Sequence, residues 1–291
     1  MLWSHRLALL LAGATFVLIL FGGLVTNTGA ALAVPDWPTT FGYNMFLYPW
    51  SQMVGGIFYE HSHRLIGSVV GILTLLLAAV LWIRGPRGRL GWLGLGALGL
   101  VSVQGVLGGL RVVLLEDSLA IVHGALAQLF FGLTVALALF TSPEWSERPR
   151  AAAELPVRRL ALLATGCLYL QVVSGALLTH RGWLESHVAG ALLLLLVVFA
   201  LVRRVLARHA GEPEFTRPAL WLGGLLALQL LLGLGSYLAR FTGVAIPVGL
   251  ALPVTHRLVG ALLLAASLVL TLRAYRPWGG RWVVGAPEAA A

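Results

Sequence analysis

The chain has 291 residues, of which 59% are hydrophobic and only 11% are charged, with a formal net charge of +9. No soluble domain of this length buries so large an apolar share, so the composition predicts an integral membrane protein. The positive charge does not point to nucleic acid, because the arginines fall in short clusters between apolar runs and no lysine is present.

The first apolar run, 7–28, has the basic start of a signal peptide. It is long, and no small-residue cleavage site precedes Pro35, so it reads as a retained span. A loop over 29–58 follows, with Pro35-Asp36-Trp37-Pro38 and then aromatics from Phe41 to Trp50. Its length argues for function, and its aromatics suit a membrane interface. Glu60-His61-Ser62-His63-Arg64-Leu65-Ile66-Gly67 then opens the second run, 62–83. Further runs at 90–112, 118–140, 159–179, 186–206, 219–239 and 250–274 complete an expected eight spans. Gly and Pro inside them are tolerated in membrane helices. The single Cys167 excludes an intrachain disulfide and any multi-cysteine metal site.

Most arginines, among them Arg6, Arg84, Arg158, Arg159, Arg203, Arg204 and Arg273, fall on one side of such an eight-span chain. The positive-inside rule makes that side cytoplasmic and places both termini there. The even-numbered spans then begin at the outer face. His63, His123, His187 and His256 are expected in the first turns of those spans, at one depth. Neutral imidazole ligates transition metals and haem iron, so four matched histidines predict two bis-histidine haem sites. The bland reading, polar rings at span ends, fits any one of them better than all four together. His61 points to another helix face than His63. His5 and His209 are expected to be solvated on the cytoplasmic side, and His180 to be structural or at the surface.

The two halves of the chain echo each other. "HRLIG" at 63–67 matches "HRLVG" at 256–260, "AGALLLLL" at 189–196 resembles "VGALLLAA" at 259–266, and Gln104-x-x-Leu107-Gly108 returns as Gln229-x-x-Leu232-Gly233. "LFGGLV" at 20–25 loosely matches "VVSGAL" at 172–177. This predicts an all-α membrane protein of two pseudo-repeated four-helix bundles: 1–140, a linker loop 141–158, 159–280, and a tail 281–291. Each bundle would hold one histidine pair between facing helices. Gly22, Gly23, Gly108, Gly109, Gly175, Gly233 and Gly235 would let a flat macrocycle approach the backbone, or simply serve helix packing. Arg64 and Arg257 each follow a ligand candidate; they suit haem propionates or interfacial snorkelling. Glu60 lies at i, i+3 from His63, on the same helix face. Its counterpart Glu185 does not keep that spacing, so one half would hold a reacting haem and the other a haem that passes electrons.

These residues resemble the haem A synthase family over nearly the whole chain. The resemblance rests on eight spans in two halves, one histidine per even span, and Glu-x-x-His-Arg at the second. It also covers "GGLVTNTGAALAVPDWPTTFG" at 22–42, with its Thr-Gly and Pro-Asp-Trp-Pro elements. It implies oxidation of a ring methyl of haem O, made by an upstream farnesyltransferase, to the formyl of haem A, for terminal oxidase assembly. It further implies that His63 and His123 flank the substrate haem, that His187 and His256 ligate a resident haem b, and that Glu60 is the essential glutamate. Implied partners are the haem O synthase, oxidase assembly factors and a quinone or other electron acceptor in the cell membrane. Many bacterial members carry a cysteine pair in the first loop. Here those places are Val34 and Thr40, which marks a cysteine-free subtype and leaves open how the loop is held.

Two rival readings remain from the sequence. One is a di-haem b-type electron-transfer protein without a substrate haem. The other is a transporter, suggested by the internal repeat, though transporter sites usually lie near the midplane.

Overall fold

The computed structural model describes residues 2–84, 88–147 and 152–276. The chain folds as α1 (Leu2–Asn27), α2 (Gly56–Arg84), α3 (Arg89–Leu114), α4 (Asp117–Phe140), a single-turn α5 (Pro143–Ser146), α6 (Leu155–Arg181), α7 (Leu184–Arg208), α8 (Pro213–Leu238) and α9 (Ile246–Ala274). All but α5, eight helices in total, are long and apolar enough to cross a membrane. Helices satisfy every backbone polar group internally, which is why such runs become helices. Large apolar side chains such as Leu163, Leu170, Leu193, Leu196, Phe199 and Leu231 remain exposed on their outer faces, as lipid-facing residues do. The expected tail 281–291 and residues 148–151 of the linker lie outside the described residues.

Each half closes into a ring. In the first, α1 packs on α2, α2 on α3, α3 on α4, and α4 back on α1; in the second, α6, α7, α8 and α9 do the same. Each ring has its own apolar core, Leu11, Val70, Leu77, Phe130 and Leu137 in one, Val157, Leu201, Phe215, Leu222 and Leu270 in the other. A hydroxyl cluster stitches the second ring: Thr165 Oγ1 lies 2.8 Å from both Ser267 Oγ and Thr271 Oγ1. The halves meet where α1 and α4 press on α9, through Ile19, Phe131 and Ala261, and where α4 touches α6.

Two helices begin well before their apolar runs. α2 starts at Gly56 because Glu60 and His61 are packed against the preceding loop rather than solvated. α8 starts at Pro213 and continues through Pro218, whose missing N–H leaves the Glu214 carbonyl open. Arg273 Nη1 donates to that carbonyl at 3.1 Å and so permits the proline.

Candidate functional site

The four histidines do not share a first turn. Only His187 lies in the first turn of its helix, whereas His256 lies about three turns into α9. What they share is a seat. His63 packs on Gly22 of α1, His123 on Gly108 of α3, His187 on Gly175 of α6 and His256 on Gly233 of α8; a Cβ at any of these glycines would stand 3.0–3.4 Å from the imidazole Cε1. The expectation that these glycines make room for a macrocycle is corrected accordingly. They admit the histidine rings themselves, while Gly23 faces Val254 and Arg257, Gly235 faces Leu252, and Gly109 faces Trp37.

Two of the glycines after the histidines complete the fit. Gly190 leaves space for the Gln171 amide and Gly260 for the Gln229 amide, whereas a Cβ at Gly67 would make only ordinary contact with Leu18. The glycine of the "HRL-x-G" echo thus has a packing cause at Gly260 but not at Gly67. The seats also correct the match of α1 with α6 by one residue: Gly22 corresponds to Gly175, not Gly23. Thr26 and Thr179 bond back to the carbonyls of Gly22 and Gly175 in the same way.

The rings form two pairs. His187 and His256 have ring centroids 6.2 Å apart. Imidazole nitrogens bind metals such as zinc at about 2.0–2.1 Å, so two rings across one metal have centres about 6 Å apart. His63 and His123 lie within electrostatic reach of each other. Among the described residues no three His, Cys, Asp or Glu side chains converge into a metal cage, so each pair offers two nitrogens. His256 Nδ1–H donates to the Gln229 carbonyl at 3.1 Å, and Ser174 Oγ lies 3.0 Å from His187 Nδ1. Both contacts leave Nε2 as the ligating nitrogen. The Gln229 amide also reaches His256 Nε2 at 3.1 Å, a contact that must open when that nitrogen takes a metal. The buried Nδ1 atoms of His63 and His123 have no hydrogen bond. The 6.2 Å spacing of His187 and His256 fits two imidazoles across one metal, and the first pair offers the same donor chemistry.

Glu60 is 5% exposed and anchors the preceding loop. Its Oε2 accepts the Val34 N–H at 2.9 Å and its Oε1 accepts Arg64 Nη2 at 2.8 Å. Arg64 also donates to the carbonyls of Val34, Asp36 and Thr39 at 2.7–3.1 Å. Both terminal nitrogens of Arg64 are thereby engaged with the loop and Glu60, an anchoring role that neither the propionate nor the snorkelling reading included. His61 adds a second tether, with Nδ1 3.1 Å from Thr40 Oγ1 and its ring against Tyr48. Val34 and Thr40 are fully buried, so at those two places a polar network holds the loop.

At the tip of this network, Burial works to raise the Asp36 carboxyl, but the Gly42 N–H, the Thr39 hydroxyl and the Phe41 N–H outweigh it and hold it below the ordinary aspartate value. A depressed carboxylate stabilises above its unfolded pKa and loses that contribution as pH falls through its folded one. The turn is therefore held at neutral pH and released only in acid.

Trp37 reaches from the loop to α3 and lies on Gly109, so closely that a Cβ there would fall within the indole. Gly109 adjoins the seat of His123, so the loop roofs the first pair. Gly109→Ala is expected to evict the indole, since such overpacking costs about 1–3 kcal/mol. Limited proteolysis of the 28–55 loop should then accelerate; an unchanged cleavage rate would show that Trp37 does not hold the roof.

Arg257 stands apart from Arg64. It reaches only the Gly22 carbonyl at 3.4 Å and Thr26 Oγ1 at 3.3 Å, and no carboxylate bonds it among the described residues. The sequence reading did not single out Gln171, Ser174 or the Trp37–Gly109 contact. Gln171 was legible as a third glutamine one turn before a seating glycine. His209 and His5 are not solvated: His209 Nδ1 lies 2.6 Å from Glu212 Oε2, and His5 Nδ1 donates to the Ala138 carbonyl at 3.0 Å. His180 faces Asp117 at 3.9 Å. A wide cleft lined by Glu144, Trp145, Arg217, Trp221, Arg273 and Arg276 contains none of the four paired histidines.

Comparison with known proteins points the same way. Residues 5–183 match the COX15-CtaA family, described as cytochrome oxidase assembly proteins. The chain is 31% identical to a protein named heme A synthase from Bradyrhizobium sp. (strain ORS 278), across 58% of this chain and 54% of that one. The matched stretch thus spans about half of that relative's length. It is 27% identical to the heme A synthase of Rhodopseudomonas palustris (strain BisA53), across 99% of this chain and 94% of the other. It is 28% identical to that of Caulobacter sp. (strain K31), across 95% and 96%. With more than half its length matched, eight membrane-length helices and two histidine pairs, the chain belongs to the COX15-CtaA family of cytochrome oxidase assembly proteins.

Proposed function

We propose that this protein is a haem A synthase, a membrane oxidoreductase that converts a ring methyl of haem O to the formyl of haem A. The observation that carries this reading is the pairing of four glycine-seated histidines, with an acidic residue one turn from a ligand in one pair only. The half 1–140 takes the substrate between His63 and His123. The half 159–280 keeps a haem b between His187 and His256, which supplies a one-electron relay when bound.

Converting a methyl to a formyl removes four electrons and passes through an alcohol, with water supplying the oxygen in the simplest balance. The chain's own contribution is positional and electrostatic. His63 and His123 fix the substrate iron, and the loop with Trp37 covers that site against bulk water. Glu60 holds a negative charge beside it. Both Glu60 oxygens already accept hydrogen bonds, which favours a fixed charge that stabilises developing positive charge over a proton shuttle. Arg257, a partly buried guanidinium with no acid partner among the described residues, suits a propionate carboxylate.

The arginine distribution supports cytoplasmic termini and a histidine end at the outer face of the cell membrane. Haem O would come from its farnesyltransferase, electrons would leave to a quinone or another acceptor, and product would pass to oxidase assembly factors. The test is haem A formation from haem O by the purified protein, with loss of product in His63→Ala. Turnover unaffected by that change would remove the first pair from the reaction.

A further inference from the structure

Three of the four seats follow one rule. The residue one turn before the seating glycine is a glutamine: Gln104, Gln171 and Gln229. On α1 it is Leu18, and directly before the glycine stands Phe21 where α6 has Ser174. The departure therefore falls on the helix that seats His63.

The hydrogen bonds divide by half of the molecule: His123 Nδ1, seated beside Gln104, lacks a partner as His63 Nδ1 does, whereas His187 and His256 have one. Ser174 Oγ donates its own proton to the Gln171 carbonyl at 3.0 Å, which turns an oxygen lone pair towards His187 Nδ1 at 3.0 Å. Gln171 Nε2 donates to the His187 carbonyl at 2.8 Å and so fixes the backbone that carries the ring; its 3.2 Å approach to Nδ1 is donor to donor once Nδ1 carries the proton, which leaves Ser174 as the acceptor. Gly190 makes this possible, because a Cβ there would collide with the Gln171 amide oxygen. His63 has the reverse surroundings. The side chains of Leu18 and Phe21 offer neither donor nor acceptor; the Leu18 carbonyl is near the His63 ring, but the buried Nδ1 makes no well-formed hydrogen bond.

The partner of the non-ligating nitrogen sets a histidine's tautomer, orientation and basicity, and its loss typically costs about 10- to 100-fold in metal affinity. The two sites of the proposed enzyme need opposite behaviour. A resident haem must survive every turnover, whereas the substrate haem must leave as product.

We infer that Ser174 and Gln171 are positioning residues that make His187 a permanent axial ligand, and that Leu18 and Phe21 at the equivalent places leave His63 an exchangeable one. This rests on the haem reading above and adds to it the device that separates resident from exchanging haem.

The test uses the purified full chain in detergent, with haem counted per protein, haem loss followed by transfer to apomyoglobin, and the haem b midpoint potential titrated. Ser174→Ala and Gln171→Leu should each weaken haem b retention by about 10- to 100-fold. Loss of the Nδ1–H acceptor makes Nε2 less basic, so the haem that remains should show a higher midpoint potential. Ser174→Thr, which keeps the hydroxyl, should restore both values. In the reciprocal change, Leu18→Gln should slow the departure of haem from the first half. Wild-type retention and potential in the Ser174→Ala, Gln171→Leu double variant would overturn the inference, as would unchanged release in Leu18→Gln. A wild-type protein with no low-spin haem would instead bring down the haem reading, and this inference with it.

Discussion

With Met in place of His256, the purified protein is expected to lose the low-spin bis-histidine spectrum of its second half, and His187→Met is expected to do the same. The two rings stand 6.2 Å apart, a spacing that suits one metal between them. A thioether in place of either imidazole changes the axial field and raises the potential of whatever haem stays bound. His61→Asn serves as the control, because His61 is tied to Thr40 and Tyr48 rather than to either pair. It should leave the spectrum intact. An unchanged b-type spectrum in both methionine variants would remove His187 and His256 as ligands.

Glu60→Gln is expected to lower haem A formation by about 10²–10³-fold, the usual loss when a preorganised electrostatic group is removed from a reacting centre. Substrate should still bind through His63 and His123, so haem O or its alcohol should accumulate. The variant also disturbs the loop. The Gln oxygen can still accept the Val34 N–H, but its amide group then faces Arg64 donor to donor. Arg64→Lys separates the two effects, since it gives up most of the loop carbonyl contacts while keeping a cation beside the buried Glu60. If the charge acts on the substrate, Glu60→Gln should be much the slower of the two. Equal losses would reduce Glu60 to a latch for the loop.

The sequence carried the eight spans because apolar length is a one-dimensional signal, and it carried the histidines because they interrupt that signal at matching places. It misplaced the start of α2 because Glu60 and His61 look like membrane-edge residues until the loop that buries them is in view. The glycines were found but given the wrong occupant: a small residue announces a close approach without saying what approaches. Arg64 shows the same limit. An arginine beside a ligand suits a propionate, and only the fold reveals three loop carbonyls within its reach. The match of α1 to α6 was read one residue out of register because paired glycines at 22 and 23 offer two alignments, and only the contact with His63 chooses between them.

The most direct measurement is extraction of the pigments from the purified protein, expressed in cells that make haem O. Haem b together with haem O or haem A, with the second pigment lost in His63→Ala and haem b retained, is the expected result. Haem b alone, unchanged by His63→Ala and with no conversion of added haem O, would contradict it and leave an electron carrier in its place.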